Sequence, residues 1–381
     1  NANSADVDTL TLNLGVGDDT SFVNASVMQE FLTTTNGGAG NDTLTGYNIL
    51  NGDAGNDRLT GGNGAETLNG GTGDDTLVLT NGADSLTGGA GFDIIEYSGT
   101  NADDTLSLVE AANVITVTGL VTGTADVTSA DFERIDVTGG SGEDDITLSG
   151  LTTQALVLGG DDDDMVDASL VTAVTVTIVG GGGDDILFGG DGADNIDGGD
   201  GSDSILGGAG NDTILGGAGD DSVQGGTGDD QFFGGADSDF FLWVPGDGSD
   251  RIEGGTGQDA IQFDGSGADE AFSFTDEGTR LQFTRDVGGV TLDIADVEGF
   301  QLNAGGGMDT VLVDTLITTG LEAIQVDLGV ADGVADAVTV EGTIADDNVD
   351  AAVVTADEVL LTGLGYELLI TSSTNGADAL T

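Results

Sequence analysis

Aspartate returns every ninth residue from Gly180 onward, each time in the same company. The segments read GGGGDDILF, GGDGADNID, GGDGSDSIL, GGAGNDTIL, GGAGDDSVQ, GGTGDDQFF and GGADSDFFL. After an insertion of Trp243 and Val244 the phase resumes as PGDGSDRIE and GGTGQDAIQ. The sixth places are Asp185, Asp194, Asp203, Asp212, Asp221, Asp230, Asp239, Asp250 and Asp259. The eighth are apolar, among them Leu187, Ile196, Ile205, Ile214, Val223, Phe232 and Phe241. An earlier block, GDAGNDRLT, GGNGAETLN, GGTGDDTLV, LTNGADSLT and GGAGFDIIE over 52–96, puts Asp57, Glu66, Asp75, Asp84 and Asp93 in the sixth place. A separate unit, GGAGNDTLT at 37–45, carries Asp42.

Carboxylates repeated at one spacing between glycines suit one kind of chemistry, the binding of a hard cation by oxygen. The chain has no Cys and no His, which excludes thiolate or imidazole catalysis, Cys/His zinc sites and disulfide staples. Seventy acidic residues face five basic ones, a formal charge of −65, so side-chain cations cannot neutralise the carboxylates. Calcium takes six to eight oxygens in flexible geometry at about 2.3–2.6 Å, whereas magnesium demands a strict octahedron and keeps its water. Calcium is therefore the expected ion, in multiple copies.

The elements that position these carboxylates follow from the rest of each nine. After Asp comes a short stretch with one apolar residue flanked by small or polar ones, a brief strand turning a single side chain inward. The glycines before Asp supply the unusual dihedrals of tight turns. Two nines make one coil of strand, turn, strand, turn, and stacked coils give two parallel sheets with the eighth-place residues between them. Matching turns on one edge lie 18 residues apart, and neighbouring strands about 4.8 Å apart. Carboxylates and turn carbonyls of successive coils can then enclose one ion. The same-edge pairs are 185/203, 194/212, 203/221, 212/230 and 221/239 in the second block and 57/75, 66/84 and 75/93 in the first. Glu66 adds a methylene where the others have Asp, and Leu79 and Thr80 replace the glycine pair before Asp84.

These units resemble the RTX, or hemolysin-type, calcium-binding repeat GGxGxDxUx of bacterial secreted proteins. The likeness is strong over 52–96 and 180–262. It implies a parallel β-roll with calcium held between same-edge turns, sixth-place carboxylates as ligands and turn carbonyls completing each shell. It also implies one-step secretion without an N-terminal signal.

Weaker copies recur outside the blocks. GGSGEDDIT at 139–147 carries Asp144, GGDDDDMVD at 159–167 carries Asp164, AGGGMDTVL at 304–312 carries Asp309, and the terminal STNGADALT carries Asp378. LGVGDDTSF at 14–22 has Asp19 in place but Ser21 where an apolar residue belongs. A longer echo sets ADFERIDVTGGSGED at 130–144 against ADVEGFQLNAGGGMD at 295–309, with Glu133 and Glu298 in the same place. The expected fold is all-β, a parallel β-roll or β-solenoid of calcium-binding nonapeptide coils with interleaved degenerate β-coil modules. The expected division is a partial β module over 1–36, a first roll block over 37–96, a β-rich module over 97–179, a second block over 180–264 and a β-rich module over 265–381. VNASVMQEFL at 23–32 reads as a short helix. The aromatic cluster of Phe232, Phe233, Phe240, Phe241 and Trp243 is expected to cap the end of the second block against edge pairing. Asn1 in place of Met and a repeat reaching Thr381 suit an excised piece of a longer array.

Function follows from the same inventory. So acidic a chain is repelled by nucleic acid and anionic membranes, and no segment has transmembrane length. Arg58, Arg134, Arg251, Arg280 and Arg285 are scattered and form no anion pocket, and the run Asp161–Asp164 reads as a turn with Asp164 as its ligand. No serine-nucleophile elbow or HExxH motif occurs, so an enzyme is not expected here. The expectation is a calcium-dependent structural or spacer segment of a secreted or cell-surface bacterial protein, folding on calcium outside the cell. The alternatives are an adhesin or carbohydrate-binding module, a surface-layer subunit, or the non-catalytic part of a larger secreted enzyme. Self-association and bacterial surface polysaccharide are the candidate partners beyond calcium.

Overall fold

Strand follows Asp in nearly every coil, and it runs further than the three residues after it. In Thr213–Ala218 the strand begins just after Asp212, passes through the glycine pair of the next nine and stops at its third residue. The turn between it and Ser222–Thr227 is only Gly219, Asp220 and Asp221. The glycine pair expected to make the turn is thus paired strand, Gly199 opposite Gly217. Gly217 sits at φ +121°, and a β-carbon added there would stand 2.0 Å from the Gly199 carbonyl oxygen. At Gly217 the stacked backbones leave no room for a side chain.

The computed structural model describes residues 9–23, 32–80, 84–111, 114–120, 123–128, 131–316, 320–330, 336–341, 350–355, 358–362 and 366–373. Two compact units divide the chain, Asn1–Gly181 with Gly189–Gly192, and Gly182–Phe188 with Ala193–Thr381. The helix expected over 23–32 falls largely outside the described residues, and Leu32 opens the strand Leu32–Ala39. A 3-10 turn stands at Val287–Gly289.

In the first unit one parallel sheet stacks Thr9–Val16, Leu32–Ala39, Ile49–Ala54, Thr67–Thr72 and Ser85–Ala90. The facing sheet runs through Thr43–Thr45, Arg58–Thr60, Thr76–Leu79, Ile94–Ser98, Arg134–Ser141 and Gln154–Asp161, again parallel. Between Ile94–Ser98 and Arg134–Ser141 the coil widens into an antiparallel meander, Thr105–Ala111, Val114–Leu120 and Gly123–Thr128.

The second unit repeats this plan. Asn195–Asp200, Thr213–Ala218, Gln231–Ala236 and Arg251–Thr256 are parallel neighbours, as are Ser204–Ala209, Ser222–Thr227, Phe240–Trp243, Ala260–Ser266 and Gly299–Gly305. A meander of Ala271–Asp276, Leu281–Arg285 and Val290–Ala295 follows, and its last strand rejoins Arg251–Thr256 in parallel. The architecture is a parallel β-roll built of repeat units, interrupted by antiparallel excursions.

Eighth-place side chains form the core: Leu44, Leu59, Leu68, Leu77, Leu187 and Ile214 are wholly buried. The aromatic cluster does not cap an end. Phe232, Phe241 and Trp243 are buried within the core, and coils continue beyond them. Trp243 lies flat on Phe263, ring centroids 3.9 Å apart, and Phe272, Phe274, Phe283 and Phe300 extend the aromatic interior. The later coils supply the partners that make these rings core.

Candidate metal sites along the turns

The sixth-place carboxylates are buried although each lies in a turn: Asp42, Asp57, Glu66, Asp75, Asp84, Asp93, Asp144, Asp164, Asp185, Asp194, Asp203, Asp212, Asp221, Asp230, Asp239, Asp250, Asp259 and Asp309. Asp378 lies outside the described residues. What buries them is a ladder. The N–H of Asp185 donates to Asp203 Oδ1 at 2.8 Å, that of Asp203 to Asp221 Oδ1 at 2.9 Å and that of Asp221 to Asp239 Oδ1 at 3.0 Å. On the other edge Asp194 donates to Asp212 and Asp212 to Asp230, both at 2.8 Å. The first block pairs Asp57 with Asp75, Glu66 with Asp84 and Asp75 with Asp93 in the same way, at 2.8, 3.0 and 2.9 Å. All eight same-edge pairs read from the spacing are therefore neighbours, joined by N–H to carboxylate.

The ladder uses one oxygen of each carboxylate. The second, Oδ2, is buried without a hydrogen-bond partner in Asp42, Asp57, Asp75, Asp84, Asp144, Asp203, Asp212, Asp221, Asp230, Asp239, Asp259 and Asp309. A buried charged oxygen with no donor is costly unless a cation meets it. Backbone oxygens converge on the same point. A β-carbon added at Gly198 would stand 2.2 Å from Asp203 Oδ2 and 2.5 Å from the Gly216 carbonyl oxygen. At Gly216 the corresponding values are 2.3 Å to Asp221 Oδ2 and 2.7 Å to the Gly234 oxygen. The first glycine of such a nine, as again at Gly70 and Gly207, is thus the floor of a cradle of carboxylate and next-coil carbonyl. An all-oxygen donor set with one charge per turn and flexible geometry fits Ca²⁺. Among the described residues no group of three or more acidic side chains is placed to hold a metal ion.

The electrostatics agree. Burial, then neighbouring carboxylates, push Asp75, Asp221 and Asp309 up to about 7 and Asp250 up to about 8. Burial raises Asp230 and Asp239 to about 6. Such groups hold a proton tightly when no other cation is near. The five arginines are engaged elsewhere: Arg58 with Glu96, Arg134 with Asp136, Arg251 with Glu253, Arg280 with Asp293 and Arg285 with Glu270.

Glu66 keeps its place in the ladder but turns back on itself, Oε2 accepting from the Gly64 N–H at 3.3 Å. Beside it, Thr80 donates its hydroxyl to the Gly62 carbonyl at 2.6 Å, doing in part what a glycine pair leaves open elsewhere.

Asp104 and Asp336 are members of the ladder that escape the sequence pattern, and Asp19, read from it, joins them. Asp19 and Asp104 donate to Asp42 and Asp144 at 2.8 and 2.7 Å, and Asp309 donates to Asp336 at 2.8 Å. Asp104 and Asp336 keep the Asp-x-apolar signal, with Leu106 and Val338 two residues on, but lack the glycine pair. A second ladder at the fifth place runs the opposite way: Asp184 Oδ1 accepts from the Ser202 N–H, and Asp220 Oδ1 from that of Ser238, both at 2.8 Å. The turn at Asp203 is thus pinned to the coil before it by Asp184 and to the coil after it by Asp221.

The family model of the RTX calcium-binding nonapeptide repeat, in four copies, matches residues 36–59, 46–77, 78–96, 177–205, 206–241 and 245–269. This chain carries RTX calcium-binding repeats. RTX repeat domains are non-catalytic structural modules that fold on binding Ca²⁺ in secreted bacterial proteins, and calcium is their ion. Among solved structures this chain is similar to the extracellular lipase LipA from Serratia marcescens, at 15% identity over 63% of this chain and 38% of that one, with a TM-score of 0.17. No curated protein matches.

Proposed function

We propose that this chain is a calcium-folded spacer within a secreted or surface protein, with the sixth-place carboxylates and the turn carbonyls beside them as ligands. The observation that carries the reading is a mismatch of charge. A dozen buried carboxylate oxygens have no donor, and none of the five arginines is paired with those carboxylates. The balancing cation comes from solution. Without it, stacked like charges repel, and with it each coil is tied to the next, so that ion binding is folding free energy. On this reading 37–96 and 180–264 are the loading blocks, and 1–36, 97–179 and 265–381 are β modules around them. Weak extracellular-type sites, with dissociation constants of about 10⁻⁴–10⁻³ M, keep such a chain unfolded in the cytosol and fold it outside. Circular dichroism is the test: coil in chelator and β-structure in millimolar Ca²⁺ are expected, and identical β spectra in both would overturn the reading.

One observation favours a second reading, a carbohydrate-binding module. Phe240, 37% exposed, stands at a groove of about 490 Å³ that also holds Gln301, Gln325 and Leu360. Gln262, Gln301 and Gln325 lie in register across three strands, so an aromatic face adjoins a row of amides. Saturable sugar binding by the calcium-loaded chain on a glycan array would favour this role over that of a spacer.

A further inference from the structure

One turn in the second unit carries its own cation. GSGADEAFS at 265–273 has the proportions of a nine, with Glu270 sixth and Phe272 eighth. Glu270 occupies the ladder, its N–H donating to Asp309 Oδ1 at 2.9 Å. The cradle is there too: a β-carbon at Gly265 would stand 2.4 Å from the Ala304 carbonyl oxygen and 2.8 Å from Glu270 Oε2. Here, however, both carboxylate oxygens are taken. Oε2 accepts from the Ser266 N–H at 2.6 Å, and Oε1 accepts from the Ser266 hydroxyl at 3.0 Å and from Arg285 Nε at 2.6 Å. The guanidinium also meets Oε1 through Nη2, and both side chains are buried, Glu270 at 0% and Arg285 at 6% exposure.

Arg285 arrives from the meander. Its strand, Leu281–Arg285, runs antiparallel to Ala271–Asp276 with Arg285 opposite Phe272. Its guanidinium carbon lies 5.4 Å from the centre of the Trp243 ring, which in turn stacks on Phe263. Of the five arginines it is the one paired with a carboxylate in the sixth place of a nine.

We propose that Arg285 is a tethered substitute for calcium at the Glu270 turn, so that the aromatic section around Trp243 closes without the ion. The inference rests on the calcium reading of the regular turns. It gives the molecule a section already formed before calcium arrives, on which ion-dependent coils can stack without first closing a nucleus of their own.

Trp243 is the single tryptophan, so its emission reports this section alone. In the full chain under chelator, emission is expected to stay at the short wavelength of a buried indole while the far-UV signal of the regular coils is lost. Arg285→Met, which strands Glu270 as a buried charge, is expected to move emission to that of exposed indole in chelator. Adding Glu270→Gln to Arg285→Met removes that stranded charge and is expected to return emission to the buried position. Exposed emission from the unaltered chain in chelator, no change in Arg285→Met, or no rescue by the double variant would each overturn the proposal. A far-UV spectrum indifferent to calcium would instead sink the calcium reading, and the comparison of variants would still judge the arginine.

Discussion

Glu133 and Glu298 close two separate columns of aspartates in the same way. Glu133 Oε2 accepts the N–H of Asp93 at 2.7 Å, and Glu298 Oε2 accepts that of Asp259 at 2.8 Å. In both cases the glutamate N–H and that of the residue after it return to the aspartate carbonyl, at 3.0 and 3.4 Å in one and 3.1 and 2.9 Å in the other. The carbonyl two residues earlier, of Asp131 or Asp296, then takes the place that a glycine carbonyl fills in regular coils, 2.2 Å from a β-carbon added at Gly88 and 1.9 Å from one at Gly254. Both glutamates come after a meander, where the coil has widened. The additional methylene lets a carboxylate reach the last aspartate from the wider turn.

Removing these caps leaves a buried N–H without an acceptor. Hydrogen bonds to charged groups contribute about 1.5–3 kcal/mol, and Glu133→Ala and Glu298→Ala are each expected to lose that much from the calcium-loaded state. Gln at either place keeps an acceptor and should recover most of the loss. Thermal unfolding in saturating calcium measures this, and an alanine variant that melts with the unaltered chain would show the caps to be idle.

The glycine pair in the strands gives a sharper contrast. Gly217→Ala puts a methyl group 2.0 Å from the Gly199 carbonyl oxygen at φ +121°, whereas Gly267→Ala meets nothing within 4 Å. The first is expected to cost more than about 2 kcal/mol, from backbone strain and displaced coils together. The second should lie within about 0.5 kcal/mol of the unaltered chain. Urea unfolding in calcium compares the two, and equal midpoints would contradict the close stacking.

Acid should partly replace calcium. The carboxyls of Asp75, Asp212, Asp221 and Asp309 are raised to about 7 and that of Asp250 to about 8, chiefly by burial. In an unfolded chain an Asp titrates near 3.9. A folded value above the unfolded one means that the folded state binds protons more tightly. Ion-free stability is then greatest below about pH 4 and is lost as pH rises through the folded values. In chelator, β-structure is expected to grow as pH falls from 8 toward 5. Over the same range more calcium should be needed for half-folding, since the ion requires the ionised carboxylate. A calcium midpoint independent of pH would contradict this competition.

Much of the fold is legible in the nines because one short period fixes two things at once, the buried apolar side chain and the turn carboxylate. Asp212 and Ile214 could be placed with nothing else known, and the edge partners followed from counting 18. Three features escaped for physical reasons. The glycine pair reads as a turn because glycine favours turns, yet in Thr213–Ala218 it is strand, required by close stacking instead. The fifth-place ladder is masked by its varying residues: Asp184, Asn211 and Asp220 accept hydrogen bonds, but Ala193 stands at the same place without an acceptor. Trp243 is buried because Phe263, the ring it stacks on, and Phe283 and Phe300 beyond that come from later coils, so an exposed end was expected where there is an interior.

Asp212 separates the ladder from the ion. Its Oδ1 accepts the Asp194 N–H at 2.8 Å, while Oδ2 lies buried without a partner beside Gly207 and the Gly225 carbonyl. Asp212→Asn keeps an acceptor for the N–H but removes the charge that draws the cation. Asp212→Ala removes both. If the two oxygens have separate tasks, both variants bind less calcium than the unaltered chain, whereas only alanine also loosens the turn around Asp194. Isothermal titration gives the first quantity, and amide hydrogen exchange at residues 192–195 in saturating calcium gives the second. The asparagine variant is expected to lose calcium binding at this turn while its Asp194 amide stays protected. Full calcium binding by Asp212→Asn would mean that the carboxylate serves the ladder alone, with the ion held by backbone oxygens.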